Sequence, residues 1–169
     1  NNITSIPDSA FVWCTNLSSV VIGNGVTSIG KTSFSSCHSL TSVLIGDSVA
    51  SIGEGAFNDC TQLVSVGPAG GGFSVGIPNT VTSIGDGAFQ NCTMLTNVSI
   101  PNGVVTIGSG AFGFCSNLTS VSIPSSVTNI SGAITPDCPK ISNVVIDEGN
   151  KNYKFIDGDL YEINSEGSP

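Results

Sequence analysis

The sequence predicts an α/β solenoid, a stack of about six coils that are each 23 residues long. The first observation is a cysteine that recurs at steps of 23, 23, 32, 23 and 23 residues. These residues are Cys14, Cys37, Cys60, Cys92, Cys115 and Cys138. The second observation is a phenylalanine three residues before each of the first five cysteines and a leucine three residues after it. A unit of this size cannot bury its own apolar face, whereas stacked copies can, so the period predicts a solenoid.

Each unit divides into three segments. The pattern L-x-x-V-x-I ends in alternating apolar positions, which is the period of a β-strand. A turn such as G-N-G or P-N-G follows, and the pattern V-x-x-I then predicts a second short strand. In the last segment Ala56, Phe57 and Cys60 stand at positions i, i+1 and i+4, which predicts one short helical turn. Stacked copies therefore predict a parallel sheet, short second strands and a row of short helical turns.

One step between cysteines contains nine extra residues, within the stretch VGPAGGGFSVGIP at 66–78. Three consecutive glycines predict an inserted loop at 66–74, with Phe73 as a candidate exposed aromatic. The apolar columns fade in the sixth copy, where Ile134 and Thr135 stand at the place of the phenylalanine. We therefore expect a solenoid over residues 1–146 and a C-terminal cap, or the start of a following segment, over 147–169.

Charge and hydropathy exclude several classes of partner. The net charge is −8 and the chain has only four lysine and arginine residues, so no basic patch can bind nucleic acid or an anionic membrane surface. No apolar run approaches the roughly 20 residues of a membrane helix, so we expect no membrane insertion in this segment. The chain begins at Asn1 and contains no signal peptide, which we interpret as a mature protein or an excised piece.

The cysteine column has three possible meanings. Neighbouring coils stand about 5 Å apart, which is within the range for a disulfide. Equivalent side chains point the same way, however, whereas a disulfide needs Cβ atoms that face each other. A zinc site needs four ligands that converge on one point, and a column spreads them along a line. The sequence therefore favours unpaired thiols in the core, with disulfides as the alternative.

No set of residues suits catalysis. His38 is the only histidine, and its position holds Thr, Ser or Pro in other copies, which indicates an ordinary exposed side chain. No phosphate-binding loop is present, and DGDLYE at 157–162 lacks the spacing of a calcium loop. We therefore expect a protein that is not an enzyme and that uses no cofactor and no metal.

The combined pattern L-x-x-V-x-I-P-x-x-V-x-x-I-G-x-x-A-F-x-x-C resembles the BspA-like, or Treponema-type, leucine-rich repeats over residues 3–146. The resemblance implies a right-handed curved stack with the L-x-x-V-x-I strands on its concave face. It also implies a cell-surface or secreted protein that binds a protein partner and adheres to host proteins, extracellular matrix or other cells. The alternative is a structural spacer or a self-assembling repeat stack. The oligomeric state does not follow from the sequence.

Two groups of residues are candidates for contact with a partner. The first group comprises outward positions of the concave strands: Ser19, Val21, Ser42, Leu44, Asn97, Ser99, Ser120, Ser122, Asn143 and Val145. The second group comprises Trp13 and Phe114, at a place where other copies have Ser36, Asp59, Asn91 and Asp137. Those polar equivalents indicate an exposed position, where an aromatic ring either forms an interface hot spot or packs against neighbouring coils.

Overall fold

The computed structural model describes residues 3–66, 75–156 and 159–163 of the chain. Of the predicted inserted loop at 66–74, the segment 67–74, which includes Phe73, lies outside the described residues, whereas Val66 belongs to a strand. The described residues form the following strands: β1 (Ser5–Ile6), β2 (Ser19–Ile22), β3 (Ser28–Ile29), β4 (Ser42–Ile45), β5 (Ser51–Ile52), β6 (Ser65–Val66), β7 (Val75–Gly76), β8 (Ser83–Ile84), β9 (Asn97–Ser99), β10 (Thr106–Ile107), β11 (Ser120–Ile123), β12 (Asn129–Ile130), β13 (Asn143–Ile146), β14 (Tyr153–Ile156) and β15 (Asp159–Glu162).

The short V-x-x-I strands form one parallel sheet of six strands, in the order β1-β3-β5-β8-β10-β12. Each residue pairs with its equivalent in the next coil, as Ile29 does with Ile52 and Ile52 with Ile84. The sheet runs without interruption past the inserted segment. The predicted solenoid of stacked 23-residue coils is therefore confirmed.

The L-x-x-V-x-I strands form two parallel sheets instead of the single sheet that we predicted. One has the order β2-β4-β6 and the other the order β7-β9-β11-β13. Each coil is counted from the turn segment that contains its phenylalanine, so that the first coil begins with the segment around Phe11. The division then lies in the third coil, where Val66 pairs with Val43 of the second coil and Val75 pairs with Val98 of the fourth. The inserted segment connects these two half-strands in sequence. One half-strand of the third coil therefore pairs with the second coil, and the other pairs with the fourth.

The third segment of each coil is a series of turns, and the predicted short helical turn is wrong. In the second coil the N–H groups of Thr32, Phe34 and Ser36 all donate to carbonyls of the next coil at 2.8 Å. The N–H groups of Ser33 and Ser35 donate to carbonyls three residues back. A helix would direct these groups to carbonyls four residues back. Ser36 also has a φ of 60°, and this left-handed conformation interrupts any helical run.

The interior consists of columns of identical apolar side chains. Five phenylalanine rings stack face to face at centroid distances of 5.1–5.4 Å with interplanar angles of 2–10°. These rings belong to Phe11, Phe34, Phe57, Phe89 and Phe112. The leucine, valine and isoleucine columns of the inner coils are equally buried. Burial of this repeated surface is the main source of stability.

Glycine closes the V-x-x-I strand because consecutive coils nearly touch there. A Cβ on Gly85 would lie 2.5 Å from the backbone nitrogen of Glu54, and a Cβ on Gly53 would lie 2.7 Å from the carbonyl carbon of Gly30. Real Cβ atoms do not approach backbone this closely, so Gly53 and Gly85 cannot be replaced by a larger residue without a shift of the backbone, whereas Ser131 stands at the equivalent place near the end of the stack.

Near the C-terminal end of the stack, polar residues replace the apolar residues of two core columns. Asn150 and Tyr153 follow Val127 and Ile130 by one repeat length of 23 residues, and both are buried. The Asn150 amide donates to the carbonyls of Pro124 and Val127 at 2.8 and 3.2 Å. The Tyr153 hydroxyl accepts the N–H of Ile130 at 2.8 Å. These contacts satisfy backbone groups at the end of the V-x-x-I sheet, and the antiparallel hairpin β14–β15 follows.

Candidate interaction surfaces

The cysteine column is a ladder of free thiols within the core. All six cysteines are unpaired, as the column pattern favoured. Five of the thiols donate to the phenylalanine carbonyl of the preceding coil, with sulfur–oxygen distances of 3.1–3.3 Å. Burial raises the pKa of Cys60 and of Cys115 to about 12. A thiol that keeps its proton is a poor nucleophile and a poor metal ligand, so the ladder has a structural role.

The part of the chain that the structure describes contains no group of three or more His, Cys, Asp or Glu side chains able to hold a metal ion. Within the same residues, no helix has the length and apolar character needed to cross a membrane.

The sheet face, defined as the outward side of the L-x-x-V-x-I strands, is small, polar and uncharged. Ser120 donates to the side chain of Asn97 at 2.6 Å, and Ser122 lies 3.4 Å from Ser99, so hydroxyls and amides link successive coils. Val21 is the most exposed apolar residue of this face, with 75% of its surface accessible. This face therefore consists of short polar side chains with an apolar spot at Val21.

Of the other predicted positions on the sheet face, Ser19, Ser42 and Leu44 lie in the same pair of strands as Val21, and the rest lie in the second sheet. Ser19, Asn97, Ser99, Asn143 and Val145 are exposed, whereas Ser42, Leu44, Ser120 and Ser122 are half-buried. Leu44 pairs directly with Val21 across β2 and β4. The structure thus brings the predicted residues onto outward columns, and their role in binding stays a prediction.

The turn ridge, defined as the six residues that directly precede the cysteines, is a second surface. Its members are Trp13, Ser36, Asp59, Asn91, Phe114 and Asp137. All six have φ between 53° and 61°, the left-handed region. Asn and Asp adopt this conformation more readily than other non-glycine residues. Trp13 is 66% exposed and Phe114 is 45% exposed, so both rings face solvent.

A polar network crosses the middle of the turn ridge. Nε2 of His38 lies 2.8 Å from one carboxylate oxygen of Asp59, and the Asn91 amide donates to the other at 2.5 Å. The His38 ring meets Trp13 edge to face, with centroids 5.7 Å apart. The network therefore connects the first four coils. Sequence reasoning missed the role of His38; the signal was its place beside the ridge column that contains Asp59.

The comparisons with known proteins agree with this architecture. A family model described as the BspA type leucine rich repeat region matches residues 1–68 and 73–165, in six copies. The T. pallidum leucine rich repeat protein TpLRR is similar in structure, with 29% identity, a TM-score of 0.77 and coverage of 85% of this chain and 63% of that chain. Among curated proteins, none matches the chain.

Two further solved structures are similar. A leucine-rich repeat protein from Eubacterium ventriosum has 32% identity and a TM-score of 0.74, and the match covers 86% of this chain and 36% of that one. A leucine rich cell surface protein from Faecalibacterium prausnitzii has 29% identity and a TM-score of 0.69, with coverage of 98% and 48%. The chain therefore spans less than two thirds of each of these relatives. Since the family model matches nearly the whole sequence and the coils have the expected register, the chain belongs to the BspA-type leucine-rich repeat family.

Proposed function

We propose that the chain is a non-catalytic protein-binding module of a cell-surface or secreted protein, and that it adheres to host proteins, extracellular matrix or other cells. Leucine-rich repeat domains are generally protein-interaction modules, and their fold is typically non-catalytic. The Faecalibacterium relative is described as a cell surface protein, which supports the same location for this chain. Stacked coils offer an extended surface of the kind that repeat proteins use for binding.

The observation that carries the proposal is the exposure of Val21 on the sheet face. A valine that is 75% accessible contributes little to the core, and its partner across the strands, Leu44, extends the apolar spot into the second coil. The surrounding residues are uncharged, so a partner can cover this face with a small desolvation cost. We therefore propose Val21 and Leu44 as the centre of the contact.

Binding is tested with the purified chain on immobilised matrix proteins and on cultured host cells. The double variant Val21→Asp and Leu44→Asp is expected to lose adhesion, because a partner would have to bury two unpaired carboxylates. Val105→Asp is the matched control, since Val105 is also exposed but precedes strand β10 of the V-x-x-I sheet. Adhesion that survives in the double variant removes the sheet face from the proposal.

The location is tested on the cells that produce the protein. Brief protease treatment of intact cells should release fragments of these repeats, and a cytosolic marker should stay protected. Repeats that become cleavable only after lysis would contradict a surface location.

A further inference from the structure

Trp13 and Phe114 have a backbone conformation that does not suit bulky side chains. Their φ angles are 61° and 56°, in the region that disfavours residues with a large Cβ substituent. Their N–H groups donate to carbonyls of the next coil at 2.9 and 2.8 Å. These inter-coil bonds hold the backbone in place, so it cannot relax without losing a contact of the stack. The other four positions of the ridge hold short polar residues: Ser36, Asp59, Asn91 and Asp137.

Packing within the chain does not account for these two aromatic rings. Both are exposed, in contrast to the phenylalanine stack, whose inner rings are fully buried. Trp13 makes an edge contact with His38, which is itself only partly buried. Strain that persists at exposed residues indicates a functional constraint, and tryptophan is enriched among the residues that dominate binding energy.

The surface between the two rings carries excess negative charge. Asp59 lies at its centre, and His38 and Asn91 fix its carboxylate in one orientation. The column six residues before each cysteine lies at the start of the same turn segments and holds further carboxylates. The acidic residues of these two columns are Asp8, Glu54, Asp59, Asp86 and Asp137. The same two columns also contain the basic residue Lys31, whose Nζ lies 2.7 Å from a carboxylate oxygen of Glu54.

We propose that the turn ridge binds an extended protein segment that carries arginine or lysine side chains. A cation beside the indole face of Trp13 gains cation–π attraction, and the nearby carboxylate of Asp59 can accept its hydrogen bonds. Phosphate-bearing partners, including nucleic acids and anionic lipids, carry the wrong sign of charge. A basic protein segment is therefore the partner whose charge and hydrogen-bonding groups complement the ridge.

The ridge also sets the length of the segment. Trp13 and Phe114 are four coils apart, which corresponds to about 19 Å at the spacing of neighbouring strands. An extended chain covers this distance with about six residues. Such a segment reaches both rings and places basic side chains near Asp59. The contact does not involve the sheet face, so it is independent of the adhesion proposed above.

The experiment uses a capped peptide that alternates arginine and serine over about seven residues. A second peptide replaces arginine with citrulline, which keeps the shape and removes the charge. Trp13 is the only tryptophan of the chain, so its fluorescence reports binding at the ridge. The arginine peptide should give a saturable change that weakens as salt is added. The citrulline peptide should bind about tenfold more weakly.

Two variants test the residues of the ridge. Asp59→Asn and Phe114→Asn place a residue that the fourth coil already has at this position, as Asn91, so both variants should fold. Each should weaken binding of the arginine peptide about three- to tenfold, while Val21→Asp should leave it unchanged. Equal binding of the two peptides, or unchanged binding by Asp59→Asn with a native circular dichroism spectrum, would overturn the proposal. Loss of adhesion in the sheet-face variant with peptide binding intact would separate the two surfaces.

Discussion

Alkaline pH is expected to destabilise this fold through its cysteine ladder. The usual pKa of a cysteine thiol is near 9.0, and burial raises the pKa of Cys60 and of Cys115 to about 12. The folded chain therefore holds these protons more tightly than the unfolded chain does. The stabilisation is complete below the unfolded pKa of about 9 and is lost as the pH rises toward the folded pKa of about 12.

The size of the effect follows from the two pKa values. At about pH 10, which is one unit above the pKa of a thiol in the unfolded chain, ionisation of each of these two thiols favours unfolding by roughly 1 to 2 kcal/mol. The two thiols together should lower the free energy of unfolding by about 3 kcal/mol. Burial also raises the pKa of Cys92 well above its usual value, which acts in the same direction. The expected decrease is a large part of the roughly 5–15 kcal/mol that stabilises an ordinary domain.

The assay is urea unfolding in the presence of a phosphine reductant, followed by circular dichroism at about pH 7.5 and about pH 10. The variants Cys60→Ala and Cys115→Ala separate the contribution of these two thiols from other effects of alkaline pH. Between the two pH values, the free energy of unfolding of each variant should fall by roughly 1 to 2 kcal/mol less than that of the unaltered chain. An equal loss in the variants and in the unaltered chain would refute the reasoning.

Three further sets of substitutions have defined outcomes in urea unfolding. Gly108→Ala should cost at least about 2 kcal/mol because its Cβ would collide with backbone, whereas Gly23→Ala, with open space around it, should change stability by less than about 0.5 kcal/mol. Phe114→Gly should be more stable than Phe114→Ala by about 1 kcal/mol, the reverse of the usual order, because only glycine relieves the left-handed strain. Tyr153→Phe should cost about 1 kcal/mol and speed hydrogen exchange of the Ile130 amide, since that N–H loses its acceptor; unchanged exchange would contradict this role.

The sequence predicted the parts of the fold that depend on the identity of buried side chains. Columns such as Val20 and Val43 predicted which residues pair, because a change of register by one residue would expose every buried side chain of the strand. The same reasoning predicted that the cysteines belong to the core. Repetition made these predictions secure, since several columns agree on one period.

Backbone conformation was harder to predict, and the short helical turn was wrong for that reason. The signal was present as Gly55 and Gly87 in one column and Asp59 and Asn91 in another, which are residues that favour positive φ. The i and i+4 spacing suggested a helix because such spacing describes the positions of side chains alone and not the conformation of the backbone. The hydrogen bonds that decide the matter run between coils, and spacing within one coil contains no information about them.

Polar substitutions in core columns were also overlooked. Asn150 and Tyr153 keep the 23-residue step from Val127 and Ile130, but a search for apolar residues ends before them. The structure shows that their polar groups satisfy backbone atoms of the preceding coil. The interaction of Trp13 with His38 could not be predicted either, because it depends on the direction of two exposed side chains.

The interrupted strand in the third coil has a consequence for how such proteins diverge. The two half-strands keep their bonds to opposite neighbours, while the V-x-x-I strand of the second coil pairs directly with that of the third, Ser51 with Ser83. The inserted segment has therefore entered the L-x-x-V-x-I side of the third coil without changing the register of the V-x-x-I sheet. Sequence can be gained or lost at this one point while the buried columns, and the scaffold that they hold together, are inherited intact.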